Sequence, residues 1–136
     1  MNFNIFEKKD QDLSGKNVPY IISTEMSPYR LYANKPNSLI LFVKIKNLTK
    51  DPLLTSLEIK LPNKLGLNEN TLLKEKKLQI GEIEPRKEKE AKIEIFGNIN
   101  TDIGEYSVNL SVISHFRDYQ HVLNRITKPL SVKVIK

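Results

Sequence analysis

The sequence predicts an all-β domain, two antiparallel sheets packed face to face. Three observations predict it. Apolar and polar residues alternate in seven or eight short runs, the period-two mark of strands with one buried face. Clusters of Gly, Pro, Asn and Asp separate most of the runs, as turns do. No convincing helix interrupts them, so the two-layer solution for strands alone applies.

Taken in order, residues 1–18 are polar and lack strand periodicity, and they are expected to form a flexible arm ahead of a domain spanning 19–136. Phe3, Phe6, Asp10 and Leu13 fall on helical spacing, which would allow one short amphipathic turn. Tyr20–Met26 reads as the first strand. Ser27-Pro28 interrupts it, and Tyr29–Tyr32 continues it past the kink. Proline in a sheet belongs at a bulge or an edge, which suits a first strand that switches sheets. After the Asn34–Asn37 turn comes the clearest strand, Ser38–Leu48, with Leu39, Leu41, Val43 and Ile45 on one face and Lys44 and Lys46 on the other.

Asn47–Pro52 turns the chain into a third strand, where Leu57, Ile59 and Leu61 alternate with Glu58 and Lys60 until Pro62-Asn63 stops it. Lys64–Lys77 reads as loop, with room for one helical turn at Thr71–Lys74. Leu78, Ile80 and Ile83 mark a short strand broken at Gly81, and Glu84–Lys87 is a turn. Ala91–Ile95 and Tyr106–Val112 alternate cleanly on either side of the turn-rich link Gly97–Gly104. His115–Tyr119 breaks the pattern, His121–Ile126 pairs back as a hairpin, and Pro129 precedes a last strand at Leu130–Val134.

At 136 residues and 39% hydrophobic, the chain can bury one core. It contains no cysteine, so no disulfide and no thiol chemistry exist. No run approaches the roughly 18–20 apolar residues of a membrane span. Met1–Asp10 has no apolar run of signal-peptide length. The expected location is the cytoplasm if Met1 is the native start, and outside the cell if an export signal has been removed. The formal charge is +6, yet lysines alternate with glutamates, as in Arg86-Lys-Glu-Lys-Glu90. Arginine, the bidentate reader of bases and phosphates, occurs only at positions 30, 86, 117 and 125. That pattern is a solvated surface and argues against a nucleic-acid partner.

Asp102-Ile-Gly104-Glu-Tyr106-Ser-Val108 fits the tyrosine corner of immunoglobulin-like domains, where a tyrosine entering the sixth strand bonds back to upstream backbone. Gly104 permits the tight turn. The disulfide and core tryptophan of antibody domains are absent, because the chain has neither Cys nor Trp. The expected fold is therefore an immunoglobulin-like sandwich of seven or eight strands without its usual staple. The wider order resembles CARDB-like and related immunoglobulin-like modules of archaea and bacteria. That order is Lys-Asn-Leu-Thr at 46–49, Leu-Pro at 61–62, Gln-Ile-Gly-Glu-Ile at 79–83, Pro-Arg-Lys-Glu-Lys-Glu at 85–90, then Gly-x-Tyr. The resemblance implies a non-catalytic adhesive or scaffolding module.

The candidate binding site is the segment His115, Phe116, Arg117, Asp118, Tyr119 and His121, read as a hairpin tip rich in hot-spot residue types. In an ordinary hairpin, Arg117 and Asp118 would form a local pair. His115 and His121 alone do not make a metal site, since zinc takes three or four protein ligands. No nucleophile elbow or phosphate loop is present, so no catalytic residues and no cofactor are expected. Asn47-Leu-Thr49 and Asn109-Leu-Ser111 match the glycosylation acceptor pattern. The expected function is docking of a protein partner through the hairpin or an edge strand. A carbohydrate- or envelope-binding accessory module and a weak nucleic-acid binder are the alternatives. Lysines on Ser38–Leu48 and Leu130–Lys136 are expected to guard exposed edges against pairing.

Overall fold

The structure, a computed structural model, describes residues 18–136. The arm expected at 1–18, with its Phe3/Phe6/Asp10/Leu13 spacing, lies outside the described residues except for Val18. Eight strands follow one another: β1 (Tyr20–Ser27), β2 (Arg30–Tyr32), β3 (Asn37–Asn47), β4 (Leu53–Lys60), β5 (Glu75–Ile83), β6 (Glu88–Gly97), β7 (Gly104–His115) and β8 (Val122–Ile135). One sheet has the order β1-β3-β6, the other β2-β8-β7-β4-β5. All neighbours are antiparallel except β2 and β8. This is an immunoglobulin-like sandwich in which the first strand crosses between sheets. β1 runs in the smaller sheet, the Ser27–Pro28 peptide is cis, and β2 joins the larger one.

The alternating residues meet between the sheets. Leu39, Leu41, Val43 and Ile45 of β3 face Leu57 and Ile59 of β4, Val108, Leu110 and Val112 of β7, and Val132 and Val134 of β8, all essentially inaccessible to water. Polar groups that cross this layer are paired, as burial demands. The Tyr20 hydroxyl shares a 2.7 Å hydrogen bond with Thr55 Oγ1, and burial pushes its pKa up.

Asn47 closes β3. It is wholly buried. Its amide donates to the carbonyls of Asp51 and Ile83, both at 2.8 Å. Its Oδ1 accepts from the Thr49 N–H and hydroxyl. A side chain so enclosed cannot accept a glycan in the folded protein, whereas Asn109 is exposed.

Four features differ from the sequence expectation. β5 is not broken at Gly81: it is one strand with a bulge, where Gly81 adopts φ +93 opposite Thr55, a conformation glycine takes at little cost. Residues 71–74 form no helical turn. Thr71 instead sits at φ +55, and a Cβ on Gly66 would lie 2.2 Å from Thr71 Cα.

The third difference is β8, which runs straight through Pro129. Pro129 stands opposite Asn109 of β7, and β2 covers only Lys133–Ile135 on the other flank. The missing N–H therefore points at an open edge and removes no ladder bond. Lastly, Lys44 and Lys46 guard no edge, because β3 is the central strand of its sheet.

Candidate functional site

The β7–β8 hairpin forms one end of the larger sheet. Its loop is closed by the Phe116 N–H donating to the His121 carbonyl at 2.8 Å. Arg117 takes φ +71 inside it. Asp118 does not pair with Arg117. Its carboxylate accepts the Gln120 N–H and lies 2.7 Å from His121 Nδ1, and the His121 hydrogen bond holds its pKa below the usual carboxylate range. Arg117 instead lies over the Phe116 ring, 4.9 Å from its centroid. Phe116, Val122 and Leu123 are each at least half exposed, so the hairpin presents an apolar shoulder.

His115 is not at the tip. It is the last residue of β7 and is 7% exposed. Strand parity turns it to the outer face, where its Nε2 lies 2.7 Å from Ser56 Oγ on β4. Tyr119 folds back over it edge to face, with ring centroids 5.1 Å apart. The sequence therefore groups His115 with loop residues although the fold places it on the sheet, where Tyr119 of the loop packs against it.

The outer face below Tyr119 holds a recess of about 180 Å³, lined among others by Ser56, Glu58, Lys77, His115 and Arg125. Glu58 is 6% exposed. Arg125 Nη1 donates to its carboxylate at 2.7 Å. That bond holds the Glu58 pKa below its ordinary value, outweighing the opposing effect of burial. Ser111 and Thr127 hydroxyls meet at 3.0 Å in the next row. None of these contacts has a sequence signal: Ser56 and His115 are 59 residues apart and Glu58 and Arg125 are 67 apart. On its strand, Glu58 is indistinguishable from any outward residue of an alternating run.

Chemically, Ser56 and His115 have the spacing of a nucleophile and base, but no acid stands behind the histidine among the described residues. His115 Nδ1 is buried with no hydrogen-bond partner among the described residues, where a triad places an orienting acid. His115 and His121 bond to different partners, and the described residues contain no group of three His, Asp or Glu that could hold a metal ion. No described helix is long and apolar enough to cross a membrane.

Asp102, Gly104 and Tyr106 lie at the opposite end. The Tyr106 hydroxyl donates to the Asp102 carbonyl at 2.8 Å, and Gly104 opens β7 at φ +156.

No protein-family model and no curated protein sequence matches the chain. Among solved structures, a mutant of Salmonella alpha-2-macroglobulin is similar over 87% of this chain, with 17% identity and a TM-score of 0.58. The chain spans only 7% of that protein's length. An ASH/PapD-like domain of human CEP192 matches over 89% of this chain and 90% of its own, with 12% identity and a TM-score of 0.43. At these identities the likeness to the macroglobulin speaks for the fold alone: a two-sheet, immunoglobulin-like sandwich.

Proposed function

We propose that this chain is a non-catalytic binding module of the CARDB-like kind, taking a protein partner on the β7–β8 hairpin and the adjoining edge of β8. One observation carries the reading. β8 is fourteen residues long, but β2 pairs only with Lys133–Ile135. The remainder of its outer flank has no strand beside it among the described residues. An open edge next to an exposed apolar shoulder is the arrangement used in strand addition, where backbone bonds give affinity and flanking side chains give selectivity.

The test is partner capture with the wild type, a Phe116→Ser/Leu123→Ser variant and an Arg117→Ala/Tyr119→Ala variant, each first checked for an unchanged melting transition. Loss of the same partners in the first variant, or in both, supports the reading. An identical partner set in all three removes the hairpin from it.

A further inference from the structure

We propose that the end of the sandwich opposite the β7–β8 hairpin docks on an anionic lipid bilayer, with Leu72, Ile99 and Ile103 entering the interfacial layer and Arg30, Lys35 and Lys64 meeting the headgroups. This surface is separate from the hairpin and from the edge of β8, so it goes beyond the protein-docking reading and does not depend on it.

The surface is built by loops that hydrogen bonds hold in place. Thr101 is wholly buried. Its Oγ1 accepts the Asn98 N–H at 2.9 Å and donates to the Lys64 carbonyl at 2.7 Å. Asn98 Nδ2 donates to Thr71 Oγ1, which ties in the residue before Leu72. The Asn34 N–H donates to the Thr101 carbonyl, and Asn34 Nδ2 donates to the Ile99 carbonyl at 3.0 Å. The connections 33–36, 61–74 and 98–103 are thus fastened to one another. Yet the side chains they display are aliphatic: Leu72 is 77% exposed, Ile99 68% and Ile103 61%. Folding has ordered these loops without covering their large apolar groups. A surface ordered in advance loses little entropy when something covers it.

Composition favours a bilayer over a protein as the cover. Protein hot spots are built on Trp, Tyr and Arg, with Leu scarce. Here the projecting groups are aliphatic, and aromatic and cationic groups flank them on β2 and the turn that follows it. Arg30 lies 4.3 Å from the centroid of the Tyr32 ring, and Lys35 Nζ lies 4.9 Å from the same centroid. Tyrosine, lysine and arginine keep an apolar body against hydrocarbon and a polar tip in water, as the headgroup layer requires.

Charge selects the lipid. The acids of this end are already engaged. Asp102 is paired with Lys64 at 3.6 Å and accepts from Asn34. Glu105 accepts from Ser131 on the sheet, and Glu69 lines a groove with Lys76 and Lys92. Among the described residues neither Arg30 nor Lys35 is paired with an acid. Cations beside exposed apolar groups are the two signals that together hold a protein on an anionic surface.

The experiment uses the full chain and vesicles of phosphatidylcholine, with or without phosphatidylserine. The chain has no cysteine, so Ile99→Cys and Phe116→Cys can each carry one polarity-sensitive fluorophore. The label at position 99 should shift to the blue on phosphatidylserine vesicles, and the label at position 116 should not. In co-sedimentation, Ile99→Ser/Ile103→Ser should weaken binding to those vesicles by about tenfold or more. Lys35→Gln/Lys64→Gln should weaken it about tenfold, and added salt should weaken it in the wild type. Phe116→Ser/Leu123→Ser should bind like the wild type. All these positions are exposed, so each variant should keep the wild-type melting transition.

Binding that needs phosphatidylserine but not Ile99 and Ile103 overturns the proposal, because a chain of charge +6 would then be held by charge alone. Equal binding to both vesicles, or no shift of the label at position 99, overturns it too. No binding to either vesicle, with a protein partner lost in Ile99→Ser/Ile103→Ser, assigns the surface to a protein instead. None of these results bears on the hairpin, which its own variants decide.

Discussion

Asn47 and Glu58 are buried polar side chains with named partners in the structure. Asn47 satisfies both its amide hydrogens and both acceptor positions with Asp51, Ile83 and Thr49. It thereby ties the β3–β4 turn to the end of β5 in the other sheet. Asn47→Ala should cost about 3 kcal/mol in urea unfolding, since it leaves a buried carbonyl and N–H unpaired. Asn47→Asp should cost a similar amount, because it keeps the acceptor and loses the donors. Glu58 gives a pH signature. Its folded pKa lies below the ordinary value of 4.5, so the stabilisation is complete above about pH 4.5 and is lost as pH falls through the folded value. Acid titration of unfolding free energy should therefore show a shallower decline in Glu58→Gln than in the wild type. Equal slopes would mean the Arg125 bond does not hold the carboxylate ionised in solution.

Among the elements, the connection from β4 to β5 is where local sequence and tertiary structure part company. Residues 71–74 leave room for one helical turn, yet the chain is held open by contacts from afar. Asn98 Nδ2 donates to Thr71 Oγ1 at 2.8 Å, Thr101 Oγ1 donates to the Lys64 carbonyl, and Gly66 pairs with Phe96 of β6. Lys74 Nζ caps the carbonyls of Asn63 and Leu65, and burial lowers its pKa.

Gly66→Ala would drive a Cβ into Thr71 backbone, where nothing flexible can yield. It should cost about 3 kcal/mol, the range of a strained, overpacked site, read as a lowered urea midpoint with unchanged slope. Strands such as β3 and β7 were legible because period-two alternation is a local property of a half-buried ribbon. Three things were not legible. β8 continues through Pro129 because its other flank is open, a fact of topology. The Gly81 bulge depends on the register with β4. The Ser56–His115 and Glu58–Arg125 contacts depend on which strands become neighbours.

At the scale of the molecule, the two sheets differ in size and surface but share one core. The outer face of the smaller sheet is lined by cross-strand charges of opposite sign, with Lys44 opposite Glu90 and Lys46 opposite Glu88. Exposed pairs of this kind, such as Lys44–Glu88 at 3.9 Å, contribute little to stability. Cohesion must therefore come from the apolar layer, where residues of both sheets form a single buried cluster. Leu41 enters that cluster from the smaller sheet and Leu110 from the larger, both fully buried. If the core is one cooperative unit, truncating either should destabilise both sheets together. Leu41→Ala and Leu110→Ala should each cost about 3 kcal/mol and lower Tm by about 10 °C at this chain length. In each variant, near-UV and far-UV circular dichroism should report one coincident transition, as a single domain requires. A split transition in Leu41→Ala, with β1, β3 and β6 melting first, would show that the larger sheet stands on its own contacts and that the sandwich is two units.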